Sequence, residues 1–148
     1  MEPDMRDLSY PVEIVAEESG GFYARFPDVR GALTGGKNIP ETLSEAQDAL
    51  GVALAEFMRR QIDIPLPSKP KRGQHLVSVP LYLAPKIALY AAMRDSKMTN
   101  VRLAKKLGVR ETMVRRLLDP DHDSKPSKVQ AALEALGKSL TVSVRDAA

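Results

Sequence analysis

The 148-residue chain contains no cysteine. That excludes disulfides, thiolate metal sites and a cysteine nucleophile, and it is compatible with a reducing compartment. Long apolar runs are missing as well, since none approaches the ~20 residues needed to span a bilayer. The N-terminus carries Glu2, Asp4 and Asp7 and so lacks the basic-then-apolar order of a secretory signal. There is no internal repeat and no low-complexity tract. These absences lead to the expectation of a soluble cytoplasmic protein.

Hydrophobic residues make up 43% of the chain and charged residues 28%, enough to bury a core and to rule out obligate disorder. The length suits one medium domain or two small ones. Charge is spread unevenly. Residues 1–82 hold 9 Lys and Arg against 12 Asp and Glu, a net of −3, whereas residues 83–148 hold 13 against 7, a net of +6. The second part attracts a polyanion and the first repels one.

The two parts also differ in hydrophobic period. Tyr10 to Glu17 alternates as a strand, with Val12, Ile14 and Ala16 on one side. Gly20-Gly21 marks a hairpin, Phe22 to Phe26 a second strand, and Pro27-Asp28 its end. Gly31 to Thr34 reads as a short third strand closed by Gly35-Gly36. A helix follows, with Asn38 and Glu41 at capping-box spacing and Pro40 in the first turn. Leu43, Ala46, Leu50, Ala53, Leu54 and Phe57 share one of its faces, and it ends near Arg59-Arg60. Pro65 to Gly73 is a loop or linker, and His75 to Pro80 alternates as a fourth strand. From Pro85 onward the period is helical, with helices expected at 85–95, 99–107, 110–118 and 126–136. Leu140 to Val144 alternates again as a short terminal strand. The predicted class is α+β: a three- to four-stranded antiparallel sheet with one helix over residues 1–82, then an all-α part with a terminal strand over residues 83–148.

The most specific signal lies between Asn100 and Asp119. A helix-turn-helix needs a small residue where its two helices cross, a residue free to take positive φ in the turn, and apolar residues from both helices. Ala104 and Gly108 meet the first two needs. Leu103, Leu107, Val109, Val114 and Leu117 meet the third, and Thr99 can cap the first helix. The second helix would then lie in the major groove of double-stranded DNA and present Arg110, Glu111, Thr112, Met113, Arg115 and Arg116 to base edges. Arg donates two bonds to guanine, and Thr or Met touches a thymine methyl. Asn100, Lys105, Lys106, Lys125 and Lys128 are the candidate phosphate contacts, which set register without reading sequence.

Other constellations are weaker. Asp119, Asp121 and Asp123 imitate the start of a calcium loop, but Ser124 stands where that loop needs glycine and Gln130 where it needs glutamate. The stretch reads as an acidic inter-helix loop that includes His122. His75 begins a strand without a visible ligand partner. Glu13, Glu17, Glu18 and Asp28 could serve a metal-dependent nuclease only by converging, and alternation puts Glu13 and Glu17 on the outer face. No nucleophile elbow or oxyanion motif accompanies the serines. No metal, cofactor or catalytic residue is assigned.

The order of parts resembles the HicB antitoxin family. The N-terminal resemblance rests on the Tyr10-Pro11 strand start, the Gly20-Gly21 hairpin, the Phe26-Pro27-Asp28 strand end, Gly31 and Gly35-Gly36. The C-terminal part is similar to the helix-turn-helix form of that family, above all in the run Arg115 to His122, and the likeness extends from about residue 8 to 145. One departure is the Lys37-Asn38-Ile39-Pro40 segment between the glycines and the helix, where the family often has an Asp-Thr or similar pair. The resemblance implies a partial ribonuclease-H-like N-terminal fold without catalytic function. It implies a partner too, a small basic mRNA-cleaving toxin of the HicA family, which the acidic balance of residues 1–82 complements. It also implies repression of the operon by the C-terminal part.

Two other readings stay open at this level: a regulator whose N-terminal part senses a small ligand, and a nuclease targeted to DNA by its helices. Specific repressors of this type read two-fold sites as dimers, so a homodimer or higher homo-oligomer is expected. Leu140 to Val144 can pair across that two-fold axis or pack within its own chain.

Overall fold

A computed structural model describes residues 7–146; Glu2 and Asp4 of the acidic N-terminus lie outside them. The elements are β1 (Ser9–Ala16), β2 (Phe22–Arg25), β3 (Leu33–Gly36), α1 (Ile39–Arg59), β4 (His75–Ser78), α2 (Ala84–Ser96), α3 (Asn100–Leu107), α4 (Glu111–Leu117) and α5 (Pro126–Ala135). The architecture is mixed α+β, with one four-stranded antiparallel sheet in the order β3-β2-β1-β4. Among the described residues no helix is long and apolar enough to cross a membrane.

β1 is the hub of the sheet. Its first half, Ser9 to Val12, pairs with β4, and its second half, Glu13 to Ala16, pairs with β2. The hairpin from β1 to β2 turns at Gly20 and Gly21, both at positive φ, as the paired glycines predict.

The third strand falls two residues later than the sequence suggests. Gly31, at φ +87°, belongs to a turn, and Gly35 and Gly36 lie inside β3 opposite Tyr23 and Phe22. The glycines are there because the chain is crowded at that point. A Cβ on Gly35 would sit 2.8 Å from the Phe22 carbonyl oxygen, and one on Gly36 would sit 2.7 Å from Thr42 Oγ1.

The start of α1 follows its cap. Asn38 Oδ1 accepts from the Glu41 amide at 2.9 Å, and Glu41 Oε2 accepts from the Lys37 amide at 2.7 Å, so one orphan donor of the first turn and the amide just before the cap are satisfied reciprocally. The departure at Lys37 to Pro40 therefore leaves the helix start intact. Ala46, Leu50, Leu54 and Met58 are buried against Tyr10, Val12 and Ala24 of the sheet. Leu50 and Leu54 are fully enclosed, and burial of each contributes roughly 2 kcal/mol. Leu43, Ala53 and Phe57 border this core without being fully buried.

Residues 60–74 form no helix or strand, yet the segment is pinned along its length. Tyr90 Oη donates to the Ile62 carbonyl at 2.8 Å and Tyr10 Oη to the Pro65 carbonyl at 2.6 Å. Ser68 donates twice to Asp28 Oδ2, from its amide and its hydroxyl, each at 2.9 Å.

A second apolar core gathers Leu89 and Met93 of α2 with Leu103, Ala104, Val114, Leu117, Val129, Ala132 and Leu133. The other side of α2 supplies Leu83, Ile87 and Tyr90 to the first core. α2 is thus common to both.

The terminal strand expected at Leu140 to Val144 does not form within one chain; residues 138–146 take neither helix nor strand. A strand needs a neighbour for its amides and carbonyls; here the segment lies near the β4 edge, where Arg145 Nη2 donates to Ser78 Oγ at 2.9 Å, but it forms no ladder with it, and Val142 and Val144 are 80% and 95% exposed.

Candidate nucleic-acid interface

α3 and α4 lie in the basic half, joined by a three-residue turn at 108–110. Thr99 Oγ1 accepts from the Arg102 amide at 3.1 Å and fixes the start of α3. Gly108 ends it in the left-handed conformation, at φ 68°, while its amide and that of Val109 close back on Lys105 and Ala104. This is the position where glycine matters, because a side chain there is strained by the backbone itself. Arg110 then returns to extended backbone and α4 begins at Glu111. Leu103 and Ala104 from α3 meet Val114 and Leu117 from α4 in the second core, as the spacing predicts, whereas Leu107 only borders that core and Val109, in the turn, is 38% exposed.

The polar side of α4 carries most of the expected base-facing residues. Arg110, Thr112, Arg115 and Arg116 are exposed; Glu111 and Met113 are half-buried. Glu111 is engaged twice. It pairs with Arg115 one turn on, and it interacts with Asn100 at the start of α3. The bond from Arg115 holds the Glu111 carboxyl below its ordinary range, against a smaller opposing effect of desolvation. Glu111 therefore ties α4 to α3 and steadies Arg115. Asn100, Thr112, Arg115 and Arg116 line one groove of about 740 Å³ that runs between α4 and the ends of α1 and α2. Arg110, Glu111, Met113, Lys105, Lys106, Lys125 and Lys128 do not line it. Lys105 and Lys106 are exposed on the last turn of α3, Lys125 is the N-cap of α5, and Lys128 is exposed on its first turn.

One residue at this site was missed in the sequence. Lys86 lies in the first turn of α2, 3% exposed, and its ammonium reaches the far end of α4. Nζ donates to the Arg116 carbonyl at 2.9 Å, the Leu117 carbonyl at 3.2 Å and Ser124 Oγ at 2.7 Å. The C-terminal carbonyls of a helix carry partial negative charge and lack intrahelical donors, so a buried cation is well placed there. Burial pushes the Lys86 ammonium below its ordinary value, and the nearby Asp119 and Asp123 push it back up. The sequence did contain a sign of this: a lysine in the first turn of a helix opposes the helix dipole, so it needs another partner.

The acidic loop after α4 is structural. Asp119 Oδ1 accepts from the Asp121 amide at 2.9 Å, and Asp121 binds Arg59 of α1, with Oδ1 2.6 Å from Nη2. His122 Nδ1 lies 2.9 Å from Ser124 Oγ, beside the Lys86 cap. Among the described residues no three His, Cys, Asp or Glu side chains are grouped to hold a metal ion. On the sheet, Glu13 is paired with Arg25 at 2.8 Å, while Glu17 and Glu18 are exposed near the hairpin. These carboxylates do not converge with Asp28, which instead accepts from Ser68.

Comparison with known proteins covers most of the chain. A family model described as the HicB-like antitoxin of bacterial toxin-antitoxin systems matches residues 9–88, from β1 into α2. Antitoxin HicB 1 of Photorhabdus laumondii is 37% identical over 95% of this chain and 89% of its own length. Antitoxin HicB of Escherichia coli is 35% identical over 91% of this chain and 98% of its own. A third relative, antitoxin HicB of Pseudomonas fluorescens, is 29% identical over 95% of this chain and 96% of its own.

Proposed function

Because the chain belongs to the HicB-like antitoxin family of bacterial toxin-antitoxin systems, we propose that it neutralises a small, basic HicA-like mRNA-cleaving toxin and represses its own operon. Residues 1–82 would hold the toxin and residues 83–148 would bind promoter DNA. The observation that carries the DNA half is the α3–Gly108–α4 geometry, a helix-turn-helix by its spacing and packing, with Thr112, Arg115 and Arg116 exposed on the second helix. In this reading α4 lies in the major groove, and the exposed lysines of α3 and α5 touch phosphates.

The three-stranded meander followed by α1 supports a partial ribonuclease-H-like reading of the sheet-bearing half. Its carboxylates are solvated or tied to Arg25 and Ser68, which supports a binding role without catalysis. The net charge of −3 over residues 1–82 suits a basic partner. The exposed Val142 and Val144 support a two-fold contact between copies through the terminal segment. Sedimentation as a monomer at operator-binding concentrations would overturn the dimer.

Co-expression tests the toxin half. The protein is expected to restore growth to cells making the small basic protein encoded beside it, and to retain that protein in pull-down; failure of both sinks the antitoxin mechanism. On the DNA side, Arg110 has no capping bond to lose. Arg110→Ala is expected to relax base preference at one operator position at a cost of ~1–3 kcal/mol in binding. Lys105→Ala is expected to weaken all duplexes alike and to flatten the salt dependence. Equal losses on operator and random duplex for both variants would contradict this division between base and phosphate contacts.

A further inference from the structure

The groove beside α4 is not built by the helix-turn-helix alone. Arg59 enters it from the last turn of α1, Arg94 and Lys97 from the end of α2, and Arg115 and Arg116 from α4; Asp119 is the one carboxylate lining it among the described residues. Two of these cations, Arg59 and Arg94, are paired with acids from outside the groove lining. Arg59 gives Nε and Nη2 to Asp121, at 3.3 and 2.6 Å, and Nη1 lies 3.5 Å from Glu56. Arg94 gives Nε to Asp63 at 2.8 Å, and its guanidinium lies 5.4 Å from the centre of the Tyr90 ring. Neither Asp121, Glu56 nor Asp63 lines the groove.

A guanidinium has five N–H donors in a fixed fork, so Arg94, held at Nε alone, keeps four for a second acceptor, while Arg59, engaged at all three nitrogens by Asp121 and Glu56, keeps at most two. Arginines oriented in this way lose little further freedom on binding an anion. Lys97 differs from them. It ends α2 in the left-handed conformation, at φ 55°, and has no ion-pair partner among the described residues.

An α-helix about 10–12 Å across fills a major groove ~12 Å wide, so the walls on either side of it meet the sugar-phosphate backbone. With Thr112, Arg115 and Arg116 on the same concave face, such a wall is formed here by the ends of α1 and α2. We propose that Lys97 and Arg94, together with Arg59 of α1, hold phosphodiesters of the operator strand bordering the major groove occupied by α4. The sheet-bearing half thereby contributes to the DNA footprint through α1, in addition to any role in holding a toxin. This inference rests on the reading of α4 as the DNA-recognition helix.

The test is the salt dependence of binding by the full chain, measured between 50 and 200 mM salt on its own promoter duplex and on a random duplex. The variant is Lys97→Asn with Arg94→Gln; asparagine tolerates the left-handed conformation, so the end of α2 is kept. Loss of two phosphate contacts lowers the slope of log K against log salt by about 1.8, so that the fourfold rise in salt weakens the variant roughly twelvefold less than the wild type. The decrease is expected on both duplexes, with an unchanged melting temperature. An unchanged slope in the folded variant overturns the proposal, and so does a loss of base preference without a change of slope. In either case a wild type that still prefers its promoter leaves the reading of α4 standing, whereas a wild type with no such preference overturns both.

Discussion

Replacement of Lys86 by methionine is expected to lower the melting temperature by roughly 5–10 °C, because three acceptors, one of them fully buried, lose their donor at a cost of about 2–3 kcal/mol. Methionine preserves most of the stem and removes the ammonium, so the change isolates the bonds to the Arg116 and Leu117 carbonyls and to Ser124 Oγ. The same bonds fix the far end of α4 against α2. Promoter binding is therefore expected to fall by at least about tenfold, with the preference over random DNA reduced as well. Ser124→Ala removes one of the three bonds and is expected to have a smaller effect of the same kind. There is also a pH signature. Burial lowers the folded-state value of Lys86 from 10.5, so the unfolded chain binds this proton more tightly than the folded one. The contribution of Lys86 to stability then rises with pH from the folded value up to 10.5 and is level beyond it. The gap between wild type and Lys86→Met should widen across that range. Thermal melts and promoter affinities that match those of the wild type would refute the role given to Lys86.

Gly36→Ala is expected to be as damaging, for a steric reason. The added methyl would lie 2.7 Å from Thr42 Oγ1, 2.8 Å from the Thr42 amide nitrogen and 3.0 Å from its Cα. Two of these three are backbone atoms of the first turn of α1, so β3 and the helix must move apart, at a cost of about 3 kcal/mol. Since the sheet and α1 enclose the first core, protection of co-expressing cells should be lost or become temperature-sensitive. Gly73→Ala provides the comparison. Gly73 is at φ +86°, with nothing within 4 Å of the added Cβ, so only the backbone strain of about 1 kcal/mol applies. Circular-dichroism melts of the two variants check the order. A Gly36→Ala protein that melts with the wild type would show that the β3–α1 junction yields more easily than its packing suggests.

What could be read from the sequence was whatever rests on local chemistry. The Asn38 cap, the Gly20-Gly21 hairpin and the Gly108 turn each involve residues within a few positions of one another, and each stands where the spacing places it. The start of β3 was misplaced because glycine carries two meanings. Gly31 looked like strand and Gly35-Gly36 like its end, but the reason for the latter pair is the close approach of β2 and α1, which is set by distant residues. Lys86 was missed for a similar reason, since its partners lie 30 to 38 positions away. The terminal strand failed in another way. Alternation at Leu140 to Val144 records a capacity for pairing, and the segment lies near the edge strand β4 without forming a ladder with it.

The sharing of α2 has a consequence for the order in which the molecule can be completed. Synthesis runs from the N-terminus, so Tyr10, Val12, Leu50 and Leu54 exist before Leu83, Ile87 and Tyr90, which close the core around them. Until those three have been made, the sheet and α1 leave apolar side chains facing water. The segment that seals the first core is also the one whose opposite side, through Leu89 and Met93, gives α3, α4 and α5 their seat. A nascent chain thus finishes its sheet-bearing half and founds its helical half with the same thirteen-residue helix. A chain interrupted before α2 is left with an open core and no foundation for α4.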